Sequence, residues 1–204
     1  RSTLETKVLP TFRPDKALAI HQVEPWNAWV NKLAAAANVD IRSLNTLLDA
    51  LKRRHDFFAK KGARMTDHGL EQAFAEFCTE AEAKAIFRKA RAGKPVSLKE
   101  RDQFATFIML FVGRLNAEKG WVMQLHLGAQ RANNTRRLLQ LGPDTGFDSV
   151  GDFPQARTLA AFLDRLDSEN ALPRTILYNL NPADNYVIGT MLGNFQDGTI
   201  PGKI

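Results

Sequence analysis

The sequence predicts an α/β fold built on a parallel sheet, and three observations carry that reading. Four short apolar-rich segments, at residues 8–12, 63–66, 121–127 and 175–180, have the length of buried strands, and most are bounded by Gly, Pro or a charge cluster. Helical patterns fill the stretches between them, so strands and helices alternate. The strand ends recur at roughly 55-residue intervals, whereas a βα unit of an eight-stranded barrel takes about 31 residues. The excess implies large loop insertions. Four units make half a barrel, and a doubly wound sheet of four or five strands would be complete at this length. Spacing alone leaves both open.

Each element follows from its neighbours in sequence. After the first strand, Leu44, Leu47, Leu48 and Leu51 fall at i, i+3, i+4 and i+7, one apolar stripe with Asp40 as its cap. Lys52, Arg53 and Arg54 lie towards the end of this helix, where they suit its dipole and a solvated face, and Gly62 stops it. The second gap predicts two helices. One spans residues 69–92, includes Phe74, Phe77 and Phe87, and ends at Gly93 after Arg88, Lys89 and Arg91. The next opens on a capping box, Ser97 with Glu100, runs past Phe104 to Leu115, and is broken by Gly120. A loop rich in Gly, Asp and Asn covers residues 128–152, and a helix follows near residues 155–167. Asn181-Pro182 then reads as a helix opening, with Asn as cap and Pro in the first turn.

Composition narrows the class. The 204 residues are 44% hydrophobic and 25% charged, enough apolar material for one sizeable core. No apolar run approaches the roughly 18–20 residues of a membrane span, and no secretory apolar core opens the sequence, so no membrane contact is expected. The one cysteine, Cys78, has no internal partner, which fits a reducing compartment. Against 22 acidic residues stand 28 Lys and Arg, a formal charge of +6 that is not gathered into one tract. That lean suits an anionic small molecule and argues against nucleic acid. The sequence begins Arg1-Ser2-Thr3 and stops at Pro201-Gly202-Lys203-Ile204, and both ends read as cuts.

In parallel α/β folds, functional groups gather where strands end. The four predicted ends deliver Arg13; Asp67-His68-Gly69; His126, followed by Arg131, Asn133 and Asn134; and Tyr178-Asn179-Leu180-Asn181. Arg13 has the planar fork that grips a carboxylate, and it is equally suited to an ordinary salt bridge. Asp67 suits a general base or a metal-linked acid, although Thr66-Asp67-His68-Gly69 also reads as a helix cap, the reading its local sequence favours. His126 is balanced between a core histidine and an acid–base or metal-ligating group. Asn179 and Asn181 read as loop and cap residues, and His21 and His55 as surface residues of helical surroundings. There is no Gly-rich phosphate loop, His-x-His, His-Glu-x-x-His, Cys-x-x-Cys or Gly-x-Ser-x-Gly, so the chain lacks a self-contained catalytic set.

Five strings nevertheless form a pattern. They are Val8-Leu9-Pro10-Thr11-Phe12-Arg13-Pro14-Asp15; Asp67-His68-Gly69; Trp121-Val122-Met123-Gln124-Leu125-His126-Leu127-Gly128-Ala129 with Arg131 and Asn133-Asn134; Leu141-Gly142-Pro143-Asp144-Thr145-Gly146-Phe147-Asp148-Ser149 with Gly151-Asp152; and Leu172-Pro173-Arg174-Thr175-Ile176-Leu177-Tyr178-Asn179-Leu180-Asn181-Pro182. In order and over nearly the whole chain, they closely resemble the uronate (glucuronate) isomerase family.

The resemblance implies a cytoplasmic enzyme on a distorted (β/α)8 barrel of the amidohydrolase superfamily. Such enzymes interconvert glucuronate with fructuronate and galacturonate with tagaturonate, with a divalent metal, often zinc, in the barrel mouth. Residues 1–204 resemble the central portion, from about the third strand to just before the seventh, a partial TIM-like barrel with large helical insertions. The family's His-x-His pair, its catalytic Tyr, the Trp of the seventh strand and the Asp-x-Arg of the eighth lie outside these residues. Arg13 and Asp67 carry over as catalytic residues, with Arg13 also gripping the substrate carboxylate. Arg131 and Asn134 are expected on the sugar hydroxyls, and His126 at the metal with its main ligands outside the chain. The implied partner is a hexuronate, and the raw sheet edges imply a covering by further chain or by a second copy. A non-catalytic anion- or partner-binding module and a hydrolase on the same barrel are the competing readings.

Overall fold

Alternation of buried and open side chains at a period of two defines the central strands. The computed structural model describes residues 5–196, 198 and 200–204. Its main sheet comprises β1 (Met65–Leu70), β2 (Val122–Leu127) and, later in the chain, β5 (Thr175–Asn179), all parallel in the order β1-β2-β5. Between them in sequence, the two-residue strands β3 (Ala129–Gln130) and β4 (Ser149–Val150) pair antiparallel. Asp67 stands in register with Gln124 and Ile176, and Gly69 with His126 and Tyr178. Because neighbouring residues face opposite ways, Asp67, Gly69, Gln124, His126, Ile176 and Tyr178 share one face. Thr66, His68, Leu70, Met123, Leu125 and Leu127 share the other, which is buried.

Seven α-helices surround the sheet: α1 (Val23–Ala37), α2 (Leu44–Lys60), α3 (Glu80–Arg91), α4 (Leu98–Lys119), α5 (Thr135–Leu141), α6 (Ala156–Ser168) and α7 (Asn185–Leu192). The Ser97–Glu100 capping box starts α4 as its sequence predicts, and Gly120 ends it in the left-handed region at φ 63°. Ten residues of α4 are buried, among them Phe104, Ile108, Met109 and Val112, which makes it the central helix of the core. At Gly113 a side chain would come within 2.8 Å of Leu166 Cδ1, so the glycine permits the close approach of α4 and α6. Trp26 of α1 closes this core, with its ring edge against Phe87 and Phe104 and its indole N–H donating to Ala17 O at 3.0 Å.

Several elements differ from the sequence reading. Of residues 8–12 only Phe12 meets the sheet, in a parallel bridge to Thr66 (Phe12 N–H to Met65 O, 3.2 Å; Asp67 N–H to Phe12 O, 3.1 Å). Pro10 and Pro14 on either side have no N–H to extend a ladder, and Val8 lies in solvent. The predicted second strand is displaced, so that Asp67, His68 and Gly69 are strand residues and cap nothing. The helix expected over 69–92 begins only at Glu80, after a Thr79–Glu82 capping box. The preceding stretch satisfies its backbone through side chains instead: Gln155 donates to Glu71 O and Thr106 accepts from Glu76 N–H. The cap of α2 is Ser43 with Thr46, while Asp40 pairs with Arg42 at 2.6 Å. Asn181 does cap a short 3-10 turn, Pro182–Asp184. At the far edge, Thr175 N–H donates to Lys203 O at 2.8 Å.

His55 corrects the surface reading most clearly. Its side chain on α2 is fully buried, its ring 4.0 Å from that of Trp121 and edge-on to Phe12. His55 Nε2 lies 3.0 Å from Asn116 Oδ1, and Asn116 Nδ2 donates to Thr66 Oγ1 at 2.7 Å. Since the amide nitrogen is committed to Thr66, its oxygen accepts from His55, which fixes the neutral Nε2–H tautomer. Burial lowers the His55 pKa, against the opposing effect of the Asn116 hydrogen bond. A lowered folded value means that the unfolded chain takes up the proton first. Stability is therefore complete above about pH 6.5 and falls as the pH drops through the folded value. The melting temperature is expected to decline between pH 7.5 and 5.5, and His55→Gln to flatten that part of the profile. Phe104→Ala is expected to cost about 3–5 kcal/mol in urea denaturation.

Candidate functional site

The chemistry gathers at the carboxyl end of β1 and β2, where a five-membered chain of charged and polarisable groups crosses from one sheet face to the other. His68 Nδ1 lies 2.9 Å from Asp15 Oδ1. Asp15 Oδ2 accepts from Arg13 Nε at 3.0 Å and from the Gly69 N–H at 2.9 Å. Arg13 Nη1 donates to Asp67 Oδ2 at 3.1 Å, and Asp67 Oδ1 lies 2.8 Å from His126 Nε2. The order is His68, Asp15, Arg13, Asp67, His126. Asp15 gives one oxygen to the arginine and the other to His68, whereas Asp67 gives one to the arginine and keeps its Oδ1 buried without a hydrogen-bond partner, near His126 but not aligned with it.

Local sequence explains how these groups meet. Phe12 is tied to the β1 edge, so Arg13 emerges beside the strand end. Pro14 then leads into the 3-10 turn Asp15–Ala17, which folds Asp15 back towards β1. Asp67 and His126 lie on one face of adjacent strands, offset by two residues in the register. His68 points the other way and is fully buried. Tyr178 on β5 stacks on His126 with centroids 4.3 Å apart and planes within 6°, and donates its hydroxyl to Gln124 Oε1 at 2.9 Å.

Electrostatics favour the charged forms of Asp15 and Arg13. Burial works against the Asp15 carboxylate, but the hydrogen bond and charge of His68, the Gly69 N–H and Arg13 outweigh it, and its pKa lies below the ordinary carboxylate value. Burial also works against Arg13, and Asp15 and Asp67 outweigh it, so its pKa is raised. The guanidinium rests over Gly69, where a Cβ would overlap Arg13 Nη2 and stand 3.8 Å from Arg131 Nη2. Glycine is needed here for this close approach.

Arg13 and Asp15 line a cavity of about 450 Å³, within the range of small-molecule sites, while Asp67, His68 and His126 lie outside its lining. Arg13, Asp15, Lys16, Trp29 and Gly69 form its floor, and Arg131, Leu138, Phe147 and Asp148 belong to the far wall. That wall is the segment 128–152, expected as a loop, in which β3 and β4 pair and α5 projects. It is pinned by Arg131 to Asp148 at 2.6 Å and by the Ala132 N–H to Asp148 Oδ1 at 2.8 Å. These two donors, the Ala132 N–H foremost, lower the Asp148 pKa. Lys16 carries no ion pair among the described residues, which leaves one unmatched cation at the cavity.

Of the residues anticipated from sequence, Arg13, Asp67 and His126 converge, and Arg131 faces the same cavity. Asn134 serves elsewhere, as the cap of α5 with its Oδ1 accepting from the Arg137 N–H at 3.1 Å, and it does not line the cavity. Asp15, His68 and Tyr178 belong to the site as well, although residue type and spacing assign them no role in it. The period-two alternation of β1 and β2 is the signal that could have found His68, and placing the second strand at 63–66 hides it. Among the described residues no group of three His, Cys, Asp or Glu is arranged to hold a metal ion. His126 and Asp67 offer two ligand groups 2.8 Å apart, which is short of the three protein ligands of a catalytic zinc site. The described residues do not by themselves fit a metal.

A family model described as glucuronate isomerase matches residues 1–204. The chain belongs to the glucuronate isomerase family. It is 58% identical over 203 residues to the uronate isomerase of Solibacter usitatus, covering 100% of this chain and 44% of that protein. It is 59% identical over 201 residues to that of Opitutus terrae, covering 98% and 43%. In structure it resembles the uronate isomerase of Thermotoga maritima, with a TM-score of 0.86 and 32% identity over 92% of this chain and 41% of the other. The glucuronate isomerase of Caulobacter crescentus follows at a TM-score of 0.78 and 26% identity, over 87% and 36%. The chain thus spans less than half the length of the relatives it matches. No helix among the described residues is long and apolar enough to cross a membrane.

Asp15 yields a test of the site's electrostatics. With a folded pKa below the ordinary value of about 3.9, its stabilisation is complete above about pH 4 and is lost as the pH falls through the folded value. Asp15→Asn is expected to cost about 1–3 kcal/mol at pH 7. Urea denaturation at pH 7, 4 and 3 should show the gap to the unsubstituted protein narrowing; a constant gap would remove the carboxylate charge from the account.

Proposed function

We propose that this chain contributes to a hexuronate aldose–ketose isomerase, the central part of a (β/α)8 barrel whose other strands and principal metal ligands lie outside residues 1–204. The observation that carries the reading is the convergence of Arg13, Asp67 and His126 at one strand end, where Arg13 lines a cavity with an unmatched cation. Family membership supports the reaction class. The parallel register of three strands, with the Phe12 bridge at one edge and the Lys203 carbonyl at the other, supports a longer curved wall.

The chemistry sets the roles. Glucuronate becomes fructuronate, and galacturonate becomes tagaturonate, when a base removes the C2 proton and the C1 oxygen gains one, giving an enediol. Loss of the C2 hydroxyl proton and delivery of a proton to C1 completes the ketose. The C6 carboxylate takes no part and anchors the sugar, a role suited to Arg13, which lines the cavity. Asp67 and His126, 2.8 Å apart, form a pair able to hold and pass a proton at Asp67 Oδ1, or to bind a sugar hydroxyl there. Arg131 is assigned to a sugar hydroxyl across the cavity. Asn134 reaches one only by giving up its cap. A divalent ion, zinc in the first instance, would supply Lewis-acid chemistry where donors from outside the chain complete its site. His126 becomes a ligand only together with donors from outside the chain. A cytoplasmic setting follows from the metabolic reaction and the single unpaired cysteine.

On this reading the purified 204-residue chain gives no turnover of glucuronate, and measurable fructuronate formation would overturn it. In a full-length uronate isomerase carrying this segment, Arg13→Met is expected to raise KM at least about tenfold while kcat changes by less than about threefold, because a remote anchor is lost. An unchanged kcat/KM would remove Arg13 from the site. Asp67→Asn is expected to lower kcat by about 10²-fold or more in the same assay.

A further inference from the structure

We infer that Asp15 is the positioning residue of the site, a carboxylate whose effect on substrate passes through the Arg13 guanidinium that it holds at the cavity. The inference rests on the reading of Arg13 as the carboxylate anchor. An arginine has five N–H donors to offer, and here the Nε–H is given to Asp15 and one Nη1–H to Asp67, which leaves the second Nη1–H and both Nη2–H groups. Nη2 lies over Gly69 on the side of Arg131 Nη2. A substrate carboxylate can take two parallel N–H bonds from Arg13 only through Nη2 and one flanking nitrogen.

The two flanking carboxylates differ in how firmly they hold. Asp15 is tied by Arg13, by the Gly69 backbone N–H and by the buried His68, three donors on two oxygens. Asp67 has only Arg13 and the His126 contact, and His126 is open to solvent on its β2 face. The Asp67 side is therefore the one that yields to an incoming carboxylate, while Asp15 keeps Nε and hence the plane of the guanidinium. Displacement from Arg13 Nη1 also leaves Asp67 facing His126 alone. Seating the sugar acid thus frees the pair assigned to proton transfer. His68 acts one step further back, since its ring fixes Asp15 Oδ1 from the buried face.

The test is a double-substitution cycle on KM in a full-length uronate isomerase carrying this segment, with glucuronate as substrate. Asp15→Asn presents an amide N–H to one of three donors and is expected to raise KM at least about tenfold with kcat within about threefold. In an Arg13→Met background the same substitution is expected to change KM less than about twofold, because its effect passes through Arg13. Gly69→Ala, which displaces the guanidinium and leaves Asp15 intact, is expected to raise KM alone and to have no further effect in the Arg13→Met background. In ¹⁵N spectra of the protein, the Arg13 Nε–H is expected to exchange slowly with solvent and to lose that protection in Asp15→Asn. An equal KM penalty from Asp15→Asn with and without Arg13 would mark a merely structural role and overturn the inference, as would an unchanged KM. Should Asp15→Asn fail to fold by circular dichroism, Gly69→Ala and His68→Gln decide the matter by the same cycle. If Arg13→Met itself leaves KM unchanged, the anchor reading falls; if it raises KM while Asp15→Asn and Gly69→Ala do not, only the positioning role falls.

Discussion

Arg13 held between two aspartates is the interaction around which the site is organised. A guanidinium cannot shed its proton, so it remains a fixed positive charge that both carboxylates must accommodate. Asp15 and Asp67 come from segments more than fifty residues apart, and Arg13 joins the 3-10 turn at Asp15 to the end of β1. The bridge is partly buried, where charge pairs are screened less than at the surface. Gly69 is the steric counterpart of this arrangement: a side chain there would occupy the space of the guanidinium.

The rest of the fold serves to keep that strand end in place. The apolar face of β1 and β2 packs on α4, which is buried over most of its circumference, and α6 closes on α4 at Gly113. Close packing of this kind transmits little slack, so the positions of Asp67 and His126 follow from those of Thr66, Met123 and Leu125 behind them. At the opposite end of β1, the His55–Asn116–Thr66 hydrogen bonds satisfy the buried polar groups between α2, α4 and the strand. The sheet face bearing Gln124, His126, Ile176 and Tyr178 is left comparatively open, and the catalytic reading accounts for that openness: it is the face that would line a barrel mouth.

Much of this is legible in the residues. The β2 strand, the capping box of α4, its left-handed glycine end and the Asn181 cap all depend on near neighbours in sequence, and the structure bears out each of them. The failures share a cause. Residues 71–79 look helical because Phe74 and Phe77 have helical spacing, but their backbone groups are satisfied by Gln155 and Thr106, distant along the chain. His55 looks exposed because its neighbours are charged, yet Trp121 and Asn116 enclose it. Val8 and Leu9 look like strand residues, but Pro10 and Pro14 leave only Phe12 able to pair.

By itself the sequence determined the alternation of strand and helix, the absence of a complete catalytic motif and, through its matching strings, the family. Those properties reside in local pattern and in residue identity. Only the tertiary structure decided that Asp15 and His68 join Arg13 and Asp67 in one chain of contacts, that Asn134 is a cap, and that Arg13 is held between two aspartates at the cavity. The reason is that an arginine's hydrogen bonds are apportioned by whichever acceptors the packed chain brings within about 3 Å. No spacing rule links residues 13, 15, 67 and 126; that link exists only once the strands lie side by side.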